Sequence, residues 1–455
     1  MILAALLTMS CSSPPEPAAD RGAQALAIRN TSVWDNVSGR FLPSQTVLIR
    51  DRRIVSVGPA EEAQISTETH VLDGQSKFLI PGLIDAHVHL THVLYQAGMT
   101  ADEILPYFLA NGVTSVRSTG DNVVAQSLLR RWAEENPDLS PRLFLASWLI
   151  GNAPPIHKDI GWSLTSPAEV PAFVNDMSKW GVTTLKIYAN CLPSVARTVI
   201  EEGHKRGFVV TGHLSSYPVQ EAIQDGIDSL EHIESVSDFL RADPKDRHSL
   251  DIESAKARRL VRTIADSGVF VDPTLAVFWG TLFFVDVDEI VNHPDNLGMP
   301  RRLRDFWAID RKRRLTSYSA GPLATRRRTF RKYQDLVGML HQAGARILVG
   351  TDAPEPQVAP GYSLHTEMEL LVESGMSTAA VLQAVTRVNA EVLRQEDHLG
   401  GIEPGKRADL VLLRANPIED IRNTREIDRV INGGEVLLPS EILERRAARA
   451  RPDDK

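Results

Sequence analysis

The sequence contains few cysteines and no long hydrophobic run. It has 2 cysteines in 455 residues, Cys11 near the start and Cys191 in the interior of the chain. Two cysteines placed in this way provide no disulfide framework, so a hydrophobic core must hold the fold. A catalytic thiolate would need a nearby base, and we therefore expect Cys191 to be a structural thiol rather than a nucleophile.

Positive charge is scarce relative to negative charge. The formal net charge is -8, from 50 Lys and Arg against 58 Asp and Glu. Nucleic acid binding usually needs a basic surface, so we expect no nucleic acid partner. A glycine-rich phosphate-binding fingerprint after an early strand is missing as well, which leaves a dinucleotide-binding fold without support.

The N-terminus differs from ordinary fold sequence. Residues 1–11 form a short apolar run that ends in small residues and Cys11. The run is too short to span a bilayer, which takes about 20 residues. It is typical of an export signal, and residues 7–11 resemble a bacterial lipoprotein cleavage box. We expect residues 1–24 to be an export signal and linker, with Cys11 either lipidated as a membrane anchor or removed, and the protein to be periplasmic or anchored at the cell envelope.

The two ends of the folded chain have a similar pattern. Apolar and polar residues alternate in short runs bounded by turn residues, which predicts strands at residues 45–51, 53–58, 408–413 and 429–437. We expect residues 25–80 and 402–438 to pair into one small β-sandwich domain, followed by a C-terminal tail at 439–455.

Residues 81–401 alternate short apolar strands with amphipathic helices. Strands are predicted before His87, near His232, and at residues 113–117, 142–146, 184–188, 208–213, 269–271 and 346–352. Strand and helix repeated in this way predict a parallel sheet in an α/β protein. About eight units favour a (β/α)8 TIM barrel. A doubly wound open sheet is the alternative.

A long insertion interrupts this pattern at residues 278–332 and is rich in arginine. A solvated helical face would explain the charge. The insertion could instead form a lid over the active-site mouth, whose cations hold an acidic substrate.

Several polar residues occur where predicted strands end. His87 and His89 are two apart in a strand, so their side chains project to the same side. Two convergent imidazoles suit a metal ion, and the carboxyl ends of barrel strands are where barrel active sites form. His213, His232 and Asp352 also close predicted strands. Each alone could be a structural residue, but together they predict a metal site.

Lys186 lies inside the apolar strand at residues 184–188. An unpaired buried ammonium is costly, so burial favours the neutral amine. A neutral amine can react with carbon dioxide, and the resulting carbamate has two oxygens that could bridge two metal ions. The alternative is a lysine whose ammonium reaches the solvent at the barrel mouth.

The residues at these strand ends resemble the amidohydrolase superfamily, and in order and type its binuclear metal-dependent hydrolases. The resemblance rests on residues 80–89, Leu185-Lys186, Gly212-His213, Glu231-His232, residues 350–352 and residues 400–413. Residues 271–275 and 360–365 resemble the prolidase-like and imidazolonepropionase-like branch in particular.

The resemblance implies two divalent metal ions, commonly Zn²⁺. His87, His89 and Asp352 would hold one ion, His213 and His232 the other, and N6-carboxylated Lys186 would bridge them. Two close cations lower the pKa of a bridging water and polarise a substrate carbonyl. Asp352 would also act as the catalytic acid and base. Homo-oligomers are common in the family.

Residues that could contact the substrate are identified from their place in predicted loops or at strand ends. They are Arg117, His157, Tyr188, Tyr217 and His365. For each, the alternative is a structural rim residue.

The expected reaction is hydrolysis of the amide bond of a dipeptide or an N-acyl amino acid by a metal-bridging hydroxide. A cyclic amide, a lactone or a phosphotriester could react at the same site, because fold does not choose the electrophile. A non-catalytic barrel protein is the third reading, against which the complete ligand set argues.

Overall fold

A computed structural model describes residues 25–283, 292–314 and 322–449. The predicted export signal at 1–24 with Cys11, two parts of the insertion and the last residues of the chain lie outside the described residues. Within the described part, no helix is both long and apolar enough to cross a membrane.

The two terminal segments meet in one mixed sheet of eight strands. Its strands are β1 (Leu26–Asp35), β2 (Arg40–Arg50), β3 (Arg53–Pro59), β4 (His70–Asp73), β5 (Phe78–Pro81), β16 (Leu410–Leu413), β17 (Ile427–Asn432) and β18 (Glu435–Leu437). The order is β18-β17-β16-β5-β1-β2-β3, with β4 paired to β1. The antiparallel pairing of β5 with β16 joins the two segments.

The middle of the chain forms parallel strands. They are β6 (Leu83–Val88), β7 (Val113–Ser118), β8 (Arg142–Phe144), β9 (Ala146–Gly151), β10 (Gly161–Ser163), β11 (Thr184–Ile187), β12 (Val209–Gly212), β13 (Ser229–Glu231), β14 (Phe270–Asp272) and β15 (Arg346–Ile347). One sheet has the order β6-β7-β8 and the other β10-β9-β11-β12-β13-β14-β15. The α/β class with parallel strands is therefore confirmed.

Helices follow most of these strands. They are α1 (His92–Ala97), α2 (Leu105–Ala110), α3 (Val123–Glu135), α4 (Val170–Lys179), α5 (Pro193–Lys205), α6 (Val219–Gln224), α7 (Glu234–Ser237), α8 (Ala255–Ser267), α9 (Leu275–Phe283), α10 (Pro294–Leu297), α11 (Arg301–Arg314), α12 (Leu323–Gln342), α13 (Tyr362–Glu373), α14 (Thr378–Gln383), α15 (Asn389–Val392) and α16 (Pro439–Arg449). Short 3-10 helices lie at Ala101–Glu103, Pro167–Glu169, Asp238–Leu240 and Ile421–Arg425, and a π-helical turn at Ala384–Val388.

Helix α8 illustrates how local sequence sets these elements. The Ser254 side chain accepts a hydrogen bond from the Ala257 backbone and caps the N-terminus. Gly268, with φ of 73°, ends the helix in the left-handed conformation that glycine adopts without strain. Leu260 and Ile264, four residues apart, are buried on one face.

Strands β11 and β12 are buried along their whole length. The side chains on both faces of such strands are covered by other parts of the protein, as in parallel sheets generally. Continuous burial explains why these segments read as apolar runs rather than as alternating ones. It also makes Lys186, in the middle of β11, an exceptional residue.

Strand β6 is also hydrogen-bonded to the chain that follows β15. The Ala86 backbone donates to Val349 O at 3.1 Å, and the His89 backbone donates to Ala353 O at 2.8 Å. The predicted strand at 346–352 is regular only at Arg346–Ile347, since its later residues turn towards β6, and Asp352 has a φ of 71°.

The predicted tail at 439–455 begins with helix α16. Ile442 on this helix is fully buried, and Arg446 donates to Glu103 O at 3.3 Å. The first part of this segment is therefore packed against the folded chain.

The buried side chain of Asn389 joins β6 to the chain after β15. Its amide donates to Ile84 O at 2.7 Å and Val349 O at 2.8 Å, and its oxygen accepts from the Val349 backbone at 3.1 Å. Asn389→Ala would leave these buried groups without partners and should lower the free energy of unfolding by about 3 kcal/mol. Urea unfolding would measure the loss.

The half-buried Asn136 provides a control, because its amide donates to Trp132 O at the end of α3. Asn136→Ala should cost less than about 1 kcal/mol. Equal losses in the two variants would contradict the role of Asn389 as a link between strands.

Candidate metal centre

His87, His89 and Asp352 converge at the ends of β6 and of the chain after β15. One Asp352 oxygen lies 3.5 Å from His87 Nε2 and 3.2 Å from His89 Nε2. One ligand atom from each of the three buried residues lies within 4.8 Å of the others. The structure therefore brings together the first three predicted ligands.

Hydrogen bonds at Nδ1 orient both imidazoles. His89 Nδ1 lies 2.7 Å from Gly120 O, and His87 Nδ1 lies 2.8 Å from Glu231 Oε2. These acceptors favour a proton on Nδ1 of each ring, which leaves Nε2, on the Asp352 side, as the nitrogen that can bind a metal ion.

His213 and His232 lie next to these three residues. The ring centroids of His232 and His87 are 4.6 Å apart, and those of His232 and His213 are 4.5 Å apart. Burial lowers the pKa of His213 to about 3 and holds that of His232 well below its usual value. Both imidazoles are therefore neutral, the form that binds metal ions.

The backbone of His232 has an unusual conformation, with a φ of 64°. Its Nδ1 lies 2.8 Å from the hydroxyl of Thr274, another residue with positive φ, at 47°. Such conformations cost energy in residues other than glycine, and they persist where the surroundings enforce them, often at functional sites.

Lys186 is 1% exposed in strand β11. Burial is the largest cause that lowers the pKa of its amine, to about 8. The lowered pKa enriches the neutral amine near physiological pH, which is the form that reacts with carbon dioxide.

The residues of the centre fit metal ions. Among the predicted metal ligands, two buried nitrogens have no hydrogen-bond partner, His87 Nε2 and Lys186 Nζ. Unpaired buried polar atoms are rare and call for an explanation such as an ion. Four imidazoles and a carboxylate suit zinc and similar divalent ions.

A second group of charged residues, Glu231, Asp272 and Arg117, surrounds His87 Nδ1, and sequence reasoning gave the two acids no role. Glu231 and Asp272 are fully buried, and both lie within hydrogen-bond distance of His87 Nδ1, at 2.8 and 3.2 Å. The Arg117 guanidinium lies 2.8 Å from the other Glu231 oxygen. Burial alone would raise the pKa of Glu231, but the Arg117 charge holds it well below its usual range.

A signal for these two acids was present in the sequence. Glu231 and Asp272 each end a short strand directly after an apolar residue, Leu230 and Val271. A buried ionisable residue needs a partner, so the reasoning applied to Lys186 extends to these two acids.

Other buried carboxylates hold the loops around the centre. Asp85 accepts from the His87 and Thr351 backbones, both at 3.1 Å. Asp121 accepts from the Leu90 backbone at 2.7 Å. Each acid thus ties a ligand-bearing segment to its neighbour.

The mouth of the centre includes two of the predicted substrate residues. His157 Nε2 lies 2.8 Å from the Tyr188 hydroxyl, and both side chains are partly exposed. The Tyr188 ring lies 5.4 Å from that of His213. His92, which sequence reasoning missed, has its ring 5.5 Å from that of His157.

Three other predicted substrate residues need correction. Arg117 is fully buried beneath the ligands. Tyr217 is buried and its hydroxyl donates to Asp225. His365 is buried between the Thr424 hydroxyl and Asn111 O. Because protein groups already bind these side chains away from solvent, none is positioned to contact a substrate.

The insertion and Cys191 show ordinary structural features. In the insertion, Arg302 is paired with Glu103 and Arg326 is buried. Cys191 is buried, and burial raises the pKa of its thiol to about 12, which disfavours a reactive thiolate.

Comparison with known proteins agrees with this geometry. The sequence model of the amidohydrolase family matches residues 78–437. The chain is 23% identical to imidazolonepropionase of Geobacillus kaustophilus over 459 residues, covering 95% of this chain and 96% of that protein. It is 33% identical to adenine deaminase of Paracoccus denitrificans over 126 residues, or 25% of this chain and only 21% of the deaminase.

A solved structure described as a prolidase from Bifidobacterium longum superposes on 93% of this chain and 99% of its own, with a TM-score of 0.69 and 25% identity. The family match extends from β5 to the end of β18 and includes every predicted metal ligand. The chain therefore belongs to the amidohydrolase family, in its prolidase-like and imidazolonepropionase-like branch.

Proposed function

We propose that this protein is a metal-dependent hydrolase that cleaves the amide bond of a dipeptide or an N-acyl amino acid. The observation that carries the proposal is the convergence of His87, His89 and Asp352. In addition, two buried nitrogens of the predicted ligands, His87 Nε2 and Lys186 Nζ, have no hydrogen-bond partner. A site of this kind at the carboxyl ends of parallel strands suits hydrolysis.

The ligand roles in this proposal are those that the family resemblance implies. His87, His89 and Asp352 would hold one ion, and His213 and His232 would hold the second. Lys186, carboxylated on its amine, would bridge the two. When bound, two divalent ions lower the pKa of a water molecule and polarise a carbonyl oxygen. Zinc fits the nitrogen-rich donor set.

Asp352 serves as the proton carrier in this proposal. Its side chain is 12% exposed, so it faces both the ligands and the opening of the site. A carboxylate in this place can accept a proton from the attacking water and return it to the leaving nitrogen.

The mouth of the site orients the substrate. The His157 imidazole and Tyr188 hydroxyl, 2.8 Å apart, offer neutral hydrogen-bonding groups on the side of His213. Such groups can bind the polar backbone of a small peptide. Similarity to a structure described as a prolidase supports a dipeptide substrate.

A cyclic amide is the second candidate substrate. The observation in its favour is the similarity to imidazolonepropionase over 95% of this chain. The same residues would act on this bond, because a site that activates water and polarises a carbonyl accepts several electrophiles.

The fold proposal is a closed (β/α)8 barrel at residues 81–401 with a β-sandwich domain from residues 25–80 and 402–438. A closed barrel requires the two parallel sheets to meet at two places. At the first, β6 and His89 donate backbone hydrogen bonds to Val349 O and Ala353 O, after β15. At the second, β8 of one sheet and β9 of the other are separated in the chain by Leu145 alone. A separate cluster of buried side chains, including Leu26 and Leu410, supports the sandwich. Export, lipidation of Cys11 and oligomer formation stay predictions.

The metal content tests the centre directly. Elemental analysis of the purified protein should find about two divalent ions per chain. His87→Ala should lose at least one of them, whereas His398→Ala, on the loop before β16, should lose none. A chain with intact ligands and no retained metal after incubation with zinc would disprove the proposal.

Lys186 has a distinct test. Lys186→Ala should lower kcat by at least about 100-fold, since the bridge between the ions is lost. Formate or acetate should restore part of the activity by supplying a carboxylate in the vacated space. Lys179→Ala, on an exposed end of α4, is the matched control. Wild-type activity in Lys186→Ala would remove the bridge from the proposal.

A substrate panel tests the bond that is cleaved. Dipeptides and N-acyl amino acids should be hydrolysed, and Asp352→Asn should lower kcat on them with retained folding. Amine release, followed by mass spectrometry, measures turnover. Cleavage confined to lactones and phosphotriesters would exclude the amide preference, and turnover of cyclic amides alone would favour the second candidate.

A further inference from the structure

We propose that Arg117 is a positioning residue for the metal centre, which acts through Glu231 and the backbone of β6 to fix His87 as a ligand. The inference rests on the proposed metal centre. It assigns to Arg117 a role different from the substrate contact that its sequence position suggested.

Arg117 holds the segment of His87 at two places. Its Nε donates to Ala86 O at 2.5 Å, one residue before His87. Its Nη2 donates to Glu231 Oε1 at 2.8 Å, and Glu231 Oε2 lies 2.8 Å from His87 Nδ1. One guanidinium thus constrains both the backbone and the ring of the same ligand.

The hydrogen bond between Glu231 and the His87 imidazole decides which nitrogen of the ring can bind a metal. A carboxylate only accepts hydrogen bonds, so Glu231 places the imidazole proton on Nδ1. The lone pair then lies on Nε2, 3.5 Å from the Asp352 carboxylate. A rotated ring or the other tautomer would direct an N–H group at the ion.

Other polar groups also surround Glu231 and the Arg117 guanidinium. Thr211 and Ser229 donate their hydroxyl protons to Glu231 Oε1, the oxygen that Arg117 binds. Asp272, fully buried, lies 4.0 Å from Arg117 Nη2. Two adjacent buried acids need a compensating charge, and Arg117 provides one from within the protein.

The Arg117 guanidinium also disfavours a metal ion at His87 Nδ1, between Glu231 and Asp272. His87, Glu231 and Asp272 have ligand atoms within 4.8 Å of one another, as a metal site would require. The guanidinium already supplies the positive charge there and occupies one Glu231 oxygen. His87 is therefore directed at one ion, on the Asp352 side.

The test compares metal affinity and folding stability in one set of variants. Arg117→Met should lower Tm and weaken zinc binding by about 10 to 100-fold, the usual effect of losing support for a metal-bound histidine. Zinc affinity is measured by competition with a chelator, and Tm by circular dichroism of the zinc-free protein. Arg117→Lys keeps the charge without the double contact and should fall between Arg117→Met and wild type.

A double variant separates positioning from structure. In Arg117→Met/Glu231→Gln the buried carboxylate charge is gone, so Tm should recover much of the loss. Zinc binding should stay at least 10-fold weaker than in wild type, because the carboxylate on His87 Nδ1 is also gone. Arg446→Met, which removes a buried arginine on α16, should lower Tm with unchanged zinc affinity.

Recovery of both Tm and zinc affinity in the double variant would overturn the proposal and leave Arg117 a structural role. Wild-type zinc affinity in Arg117→Met would do the same. If the wild-type protein itself bound no zinc, the proposed function would fail first, and the inference with it. The wild-type measurement therefore distinguishes the two failures.

Discussion

The hydrogen bonding of strand β6 to segments on both sides is the constraint on which the centre depends. On one side β6 pairs with β7, and on the other His87 O accepts from the Asp352 backbone at 2.8 Å. His87, His89 and Asp352 are thus held by backbone contacts between parts of the chain more than 260 residues apart. Their side chains meet because parallel strands end at one edge.

The second constraint is the balance of charge inside the sheet. Asp85, Glu231, Asp272 and Glu367 are fully buried, and Arg117 and Lys186 are the buried cations among them. Burial raises the pKa of Asp85 to about 7 and that of Asp272 well above its usual value. Burial thus favours the neutral forms of these two acids, which limits the negative charge that Arg117 and Lys186 have to compensate.

One of these buried acids, Glu367, connects the start of helix α9 to the candidate ligand His232. Glu367 accepts from the backbones of Leu275 and Ala276, at 2.9 and 2.6 Å, at the start of α9. The preceding residue, Thr274, holds His232 through its hydroxyl. A carboxylate on α13 thereby fixes both a helix terminus and the residue that orients a ligand.

The sequence by itself determined the types and order of most elements and indicated the candidate ligands. Apolar runs located the strands, the spacing of His87 and His89 indicated a shared face, and an ionisable residue in an apolar strand singled out Lys186. These features are local, since they depend on side-chain period and on the cost of burying charge. Family resemblance extended them to the full ligand set.

Only the tertiary structure decided which polar residues are buried around His87 and which, such as His157 and Tyr188, stay partly exposed near His213. Arg117 and Glu231 are 114 residues apart, and no local pattern connects them. For the same reason the sequence predicted that Arg117, Tyr217 and His365 contact the substrate, although each is buried with a protein partner. Exposure and hydrogen-bond partners depend on contacts between distant strands, and such contacts form only when the chain folds.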